Sequence, residues 1–279
     1  MTILITGANG TVSSAVLRSL PDTADVRVLV RDAAKAPAGY QVAVGDLDRP
    51  ETLTEAFDGV DTLWLLTAMG PQAPHASMNA VWAARQAGVK HVVRLSAIGA
   101  GHDAPTRNGR LHALSDAELR DSGLAWTVIR PAFFLQNLLG SVNGDTLYGP
   151  TGQGRLSPID VRDIGAFAAR VLTDPAPHAG RTYTITGPDR ITLAEAAGAL
   201  QPVYGEPITY QPVSPEDAYQ AMLSAGLPEW IAAVNVEYAK AYSSDWGNFT
   251  TPDFEDVMGR KAIAFPEFAR DHAEVLRAA

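Results

Sequence analysis

Two glycines three residues apart, set between a strand-like run and a helix-like run, have the plainest chemical meaning in this sequence. Ile3-Leu4-Ile5 leads through Thr6 into Gly7-Ala8-Asn9-Gly10, and Thr11-Val12-Ser13 opens a segment of helical period. Such a junction presents backbone N–H groups to an anion. Gly7 permits the tight turn, Gly10 lets the backbone approach a diphosphate, and the N–H groups of Thr11 and Val12 can donate to its oxygens, with Asn9 in the same loop. The ligand this implies is a dinucleotide. Ser13 stands where a third glycine would serve close helix-to-strand packing, a departure expected to loosen that contact slightly.

The next strand decides the ribose. An acidic residue about 20 residues past the turn suits NAD, whereas a basic one accommodates a 2′-phosphate. The chain reads Val28-Leu29-Val30-Arg31-Asp32 and then Lys35. Arg31 can stack on adenine and fork onto a phosphate, with Lys35 as a second charge, so NADP(H) is the expected cofactor. Asp32 keeps NAD(H) as the alternative.

These residues need elements to carry them. Short β-branched runs alternate with helical stretches, the sequence form of βαβ units on a parallel sheet. The predicted strands are Thr2–Thr6, Val26–Val30, Gln41–Val44, Thr62–Leu66, His91–Leu95, Ala125–Ile129 and Thr182–Ile185. Helices are expected over Thr11–Leu20, Pro50–Phe57, Pro74–Ala87 and Leu111–Ser122, with Asp22, Gly59 and Gly88 at stops. Beyond Pro131 glycine and proline become frequent and the alternation weakens. Residues 1–130 are therefore read as the dinucleotide-binding domain. Residues 131–279 are read as a smaller, mostly helical substrate lobe that is interleaved with it and returns at least one strand to the sheet. That lobe is given helices at Asp160–Leu172, Leu193–Leu200, Pro215–Ala225, Glu229–Tyr242 and Pro266–Ala278, and a strand near Ile208–Gln211.

Composition narrows the class. With 279 residues, 46% hydrophobic and 19% charged, the chain has ample interior for a core. A net charge of −9 and no basic run argue against nucleic acid as a partner. There are no cysteines, which excludes disulfides and thiolate chemistry and fits a reducing compartment. The first residues read as a strand rather than a signal peptide, and no run of about 18 apolar residues suggests a membrane span, so the cytoplasm is the expected location. The six histidines show no paired ligand spacing, and no metal is expected.

The chain resembles the NmrA-like, atypical short-chain dehydrogenase/reductase family over nearly its whole length. The matching segments, in order, are Ile3–Gly10, Val28–Asp32, Gly45-Asp46-Leu47, Gly59-Val60-Asp61, Ala87–Ser96, Ser122–Pro131, Asn137, Asp160–Ile164, Ile185–Pro188 and Gly259-Arg260. The resemblance implies a doubly wound α/β (Rossmann) fold with the cofactor across the carboxyl ends of the strands. It places Asp46 and Leu47 beside adenine, Leu66, Thr67, Ala68 and Met69 along ribose and pyrophosphate, and Ser96 and Ala97 near nicotinamide. Pro131, Ala132 and Phe133 would close over the carboxamide.

Short-chain dehydrogenases commonly protonate a carbonyl with tyrosine from a Tyr-x-x-x-Lys pair. No tyrosine here has lysine four residues later, and the corresponding positions hold Arg110 and Leu114. That absence favours an acceptor needing little enzymic acid, such as a quinone or conjugated carbonyl, for which hydride placement carries most of the barrier. His112 is the best remaining proton donor because histidine titrates near neutrality; Asp116, one turn on, is expected to orient it, and Ser96 to hydrogen-bond a substrate oxygen. Phe133, Phe134, Trp230, Tyr238, Trp246 and Phe249 are candidates for an aromatic pocket, with core the alternative for each. The expected function is an NADP(H)-dependent oxidoreductase acting on a small molecule, as monomer or homodimer. A non-catalytic NAD(P)-binding redox sensor acting through a protein partner is the alternative.

Overall fold

The computed structural model describes residues 1–278. Its strands in chain order are β1 (Thr2–Ile5), β2 (Asp25–Val30), β3 (Gln41–Val44), β4 (Thr62–Leu65), β5 (His91–Leu95), β6 (Ala125–Pro131), β7 (Val142–Asn143), β8 (Thr146–Gly149), β9 (Arg181–Ile185) and β10 (Thr209–Pro212). Its helices are α1 (Thr11–Ser19), α2 (Ala73–Ala87), α3 (Arg107–Asp121), α4 (Val161–Thr173), α5 (Leu193–Tyr204), α6 (Pro215–Ser224), α7 (Glu229–Ser243), α8 (Asp253–Met258), α9 (Phe265–Asp271) and α10 (Ala273–Ala278). Seven strands form one sheet in the order β3-β2-β1-β4-β5-β6-β9. The pairs from β3 through β6 are parallel, with Ile5 opposite Val28 on one side and Trp64 on the other. This is the doubly wound Rossmann-like fold. Its order reverses between β1 and β4, the switch point outside which such sheets bind ligands.

The chain divides into two compact units. One comprises Met1–Ala104, Asn108–Arg130 and Ile164–Tyr183; the other comprises Pro105–Arg107, Pro131–Asp163 and the chain from Thr184 onward. The first has its core between sheet and helices: Leu4, Leu63, Leu65 and Val92 of the strands meet Ala80, Val81 and Ala84 of α2. The alanine face of α2 lets the helix lie close to the sheet. The second gathers Leu135, Leu147, Leu193, Leu200, Tyr242 and Phe268. Its small sheet, β10-β8-β7, turns at Gly144, whose φ is +61°.

Three segments differ from the sequence reading. The helix expected over Pro50–Phe57 is a single 3-10 turn, Pro50–Thr52. The Thr52 hydroxyl accepts from Asp46 N at 2.9 Å and donates to Arg49 O at 2.7 Å, so side-chain bonds compete with a helical ladder there. The C-terminal helix is two, α9 and α10, broken at His272, whose Nδ1 approaches Phe268 O at 3.0 Å while its ring stacks on Phe268. The β7–β8 hairpin was not foreseen, because strands of two and four residues show too little alternation to read. Two boundaries extend further: α3 begins at Arg107, and α5 runs past Leu200 to Tyr204 with Pro202 inside it.

Candidate active site

The glycine turn is built for a close anionic neighbour. Gly7 has φ +63°, and a Cβ there would lie 3.0 Å from Leu66 Cδ2. Gly10 caps α1 without a side-chain hydrogen bond, and a Cβ on it would meet Gly7 O at 3.1 Å. The first turn of α1 holds no acidic residue, so the orphan N–H groups at Thr11 and Val12 meet no competing carboxylate of their own helix. Thr6 fixes the floor: its hydroxyl donates to Leu66 O and accepts from Leu66 N, both at 2.8 Å. Thr67 continues from there half-buried, and Ala68 and Met69 are exposed.

Ser13 does not loosen the helix. It is fully buried, donates to Thr6 O at 2.8 Å, and accepts from Trp64 Nε1 at 2.9 Å. One hydroxyl thus ties α1 to β1 and β4. Trp64 in mid-strand was the signal, since a buried indole N–H needs an acceptor.

At the carboxyl end of β2, Arg31 and Lys35 are exposed. Asp32 caps the short turn Ala33–Lys35 by accepting from Ala34 N at 3.0 Å, which commits one of its oxygens to the backbone. Asn9 reaches the same loop: its Nδ2 donates to Lys35 O at 2.9 Å, so its amide nitrogen holds the loop rather than the ligand. Asp46 folds its own turn, accepting from Asp48 N at 3.1 Å. Asn79 of α2 donates to Leu47 O at 2.7 Å and holds that turn against the helix.

The three residues expected to do chemistry do converge, around a charge the sequence reading missed. Arg94 of β5 is 1% exposed. Its Nε donates to Asp116 Oδ1 at 3.0 Å, its Nη1 to Ser77 Oγ at 3.1 Å, and its Nη2 lies 3.2 Å from His112 Nδ1. Asp116, fully buried, takes Ser96 Oγ at 2.9 Å and Arg130 Nη2 at 2.7 Å on Oδ2. Arg94, rather than Asp116, is therefore the hydrogen-bond partner of the His112 ring. Burial, reinforced by Arg94, pushes His112 down to about 3, so the imidazole is neutral at neutral pH. An arginine inside a buried strand was the legible sign that a carboxylate waits nearby.

The positions aligned with the missing tyrosine and lysine carry no acid. Arg110 donates to Ala104 O at 2.7 Å, and Leu114 is exposed. Ala97 follows Ser96 half-buried. In the second unit Pro131 ends β6 buried, and Phe133 meets Tyr242 edge-on at 5.8 Å. Tyr238 and Trp246 also gather on Tyr242, which puts these three candidates against a core tyrosine. Trp230 and Phe134 are half-buried, and Phe249 is exposed. Among the described residues no cluster of His, Asp or Glu could hold a metal ion, and no helix is long and apolar enough to cross a membrane.

Comparison with known proteins shows the family. A family model described as NAD(P)H-binding matches residues 7–175. The chain is 40% identical to an NAD(P)H azoreductase of Xenophilus azovorans, over 99% of this chain and all of that one. It is 32% identical to quinone oxidoreductase 2 of Escherichia coli, over 82% of this chain and 84% of the relative. An NADPH complex of the Escherichia coli NADPH-dependent quinone oxidoreductase superposes with a TM-score of 0.88 at 28% identity, covering 96% of this chain and 99% of that one. The Citrobacter sp. triphenylmethane reductase complexed with NADP(H) gives 0.87 at 25% identity, covering 97% and 99%. On these grounds the chain belongs to the NAD(P)H-binding family.

Proposed function

We propose that this chain is an NADP(H)-dependent oxidoreductase whose acceptor is an aromatic, quinone-like or conjugated carbonyl small molecule. The observation that carries the reading is the uncapped glycine turn, with an exposed arginine at the tip of the next strand, in a chain alike over its full length to an NAD(P)H azoreductase. The N–H groups of Thr11 and Val12, with Gly7 and Gly10 giving room, are assigned to the diphosphate. Arg31 and Lys35 are assigned to the 2′-phosphate, Asp46 and Leu47 to adenine, and Leu66 to Met69 to the ribose and pyrophosphate. Ala97, Pro131 and Phe133 are assigned to the nicotinamide end. When bound, NADPH supplies a hydride.

Ser96, His112 and Asp116 are assigned to the reacting end. Asp116 fixes the Ser96 hydroxyl, and the buried network holds both against solvent exchange. His112, held neutral, is no acid comparable to a tyrosine paired with lysine, which suits an acceptor that tolerates an anionic product. Nucleic acid is not a partner in this reading, given the charge of −9. We place the protein in the cytoplasm as a monomer or homodimer.

The test is consumption of NADPH, followed by its absorbance, with a panel of quinones, azo compounds and enones. Turnover with at least one class is expected; tight NADPH binding without turnover of any would defeat the reading.

A further inference from the structure

We propose that Arg94 is a positioning residue that holds His112 as its neutral Nε2–H tautomer, making the ring a hydrogen-bond donor to the acceptor molecule rather than an acid. The inference rests on the assignment of Ser96, His112 and Asp116 to the reacting end.

Donors and acceptors fix the tautomer. A guanidinium has five N–H donors, no acceptor, and keeps its proton in proteins. An atom that it bonds must therefore offer a lone pair. Arg94 Nη2 meets His112 Nδ1 at 3.2 Å, so Nδ1 is unprotonated and the single ring proton sits on Nε2. Arg94 cannot swing away: it is fully buried, and its other two nitrogens are bonded to Asp116 and Ser77.

The groups facing the ring reinforce this. Arg94 comes from β5, Arg130 from β6 and Asp116 from α3 itself, while the uncharged Ser77 of α2 holds the Arg94 guanidinium. The one carboxylate is shared among Arg94, Arg130 and Ser96. Protonating Nδ1 would set an N–H against an N–H beside two cations. Burial acts in the same direction. Nε2 has no hydrogen-bond partner among the described residues, and the ring is half-buried, so this N–H is the one left for a ligand.

A quinone or carbonyl oxygen, or an azo nitrogen, accepts from Nε2–H. As the acceptor gains a hydride its π bond breaks and the electron pair settles on that heteroatom, where the neutral donor stabilises it. The proton that completes the product comes from water, and His112 ends the cycle unchanged.

The experiment is ring-nitrogen NMR on the wild-type protein labelled at histidine, with His112 assigned by its loss in His112→Ala. One neutral Nε2–H tautomer with no titration between pH 5 and 8 is expected. An Nδ1–H form, or a midpoint inside that range, overturns the proposal. Removing the donor in His112→Ala should lower kcat by about 10²-fold, the usual scale for one lost donor. His112→Gln keeps a neutral N–H and should recover part of that loss; equal loss in both variants counts against it. In Arg94→Gln the His112 midpoint should rise into the measurable range, and an unmoved midpoint overturns the role of Arg94. If NADPH fails to bind the wild type, the functional reading itself fails; if NADPH binds and quinone is reduced while His112 titrates near neutrality, only the positioning role falls.

Discussion

Ser13 illustrates how one side chain can replace the packing role of a glycine with hydrogen bonds. Removing its hydroxyl leaves the indole N–H of the fully buried Trp64 without an acceptor. Ser13→Ala should therefore cost about 1–3 kcal/mol of stability, the penalty for one orphaned buried donor. Urea unfolding checks this, and an unchanged midpoint would refute the assignment. Arg31 is the residue proposed for cofactor specificity, together with Lys35. Asp32 has one oxygen committed to the Ala33–Lys35 turn, and the guanidinium beside it is exposed. Arg31→Ala should weaken NADPH by about 1–3 kcal/mol and NADH far less. Calorimetry with both dinucleotides decides, and equal losses would sink the 2′-phosphate assignment.

Among the elements, α1 and α4 approach closely enough that no side chain fits between them at one point. A Cβ on Gly165 of α4 would lie 2.6 Å from the carbonyl carbon and oxygen of Ala15 in α1, both rigid backbone atoms. Gly165→Ala should destabilise by about 1–3 kcal/mol through overpacking, and should disturb the helix whose N-terminus faces the glycine turn. Gly198 in α5 is the control. It is exposed, with nothing within 4 Å of an added Cβ, so Gly198→Ala should be neutral to stabilising by up to about 1 kcal/mol. Thermal melts of the pair separate the two cases; a Gly165→Ala protein as stable as Gly198→Ala would mean the helices have room to part.

For the molecule as a whole, three histidines are held neutral by burial, and acid should unfold it early. His91 is pushed down to about 4 and His112 to about 3, and His178 is lowered too, with burial the largest cause in each. His91 Nε2 lies 2.8 Å from the Thr127 hydroxyl, which donates onward to His178 O, so the His91 proton sits on Nε2. Because the folded values lie below the ordinary 6.5, the stability these groups supply is complete above that pH and is lost as pH falls below it. Each buried neutral histidine costs up to about 1.4 kcal/mol per pH unit once the unfolded chain is protonated, so His91 and His112 together should remove roughly 3 kcal/mol between pH 6.5 and 5. Denaturant midpoints at pH 7 and 5 test this. A midpoint that holds steady would show that these rings are charged or hydrated in the fold.

The sequence by itself determined the sheet and the glycine turn. Both depend on short-range rules: β-branched runs bounded by Gly7, Gly59 and Gly88, and two glycines at a strand-to-helix junction, are legible wherever they occur. Only the tertiary structure decided which partners His112, Ser96 and Asp116 have, because Arg94 and Arg130 reach Asp116 from β5 and β6 across gaps of 22 and 14 residues. A side chain's titration and tautomer belong to whatever surrounds it in space, and spacing along the chain carries no record of that. Asn9 makes the same point on a smaller scale, its amide bonded to Lys35 O, 26 residues along the chain, which only the folded loops bring into reach.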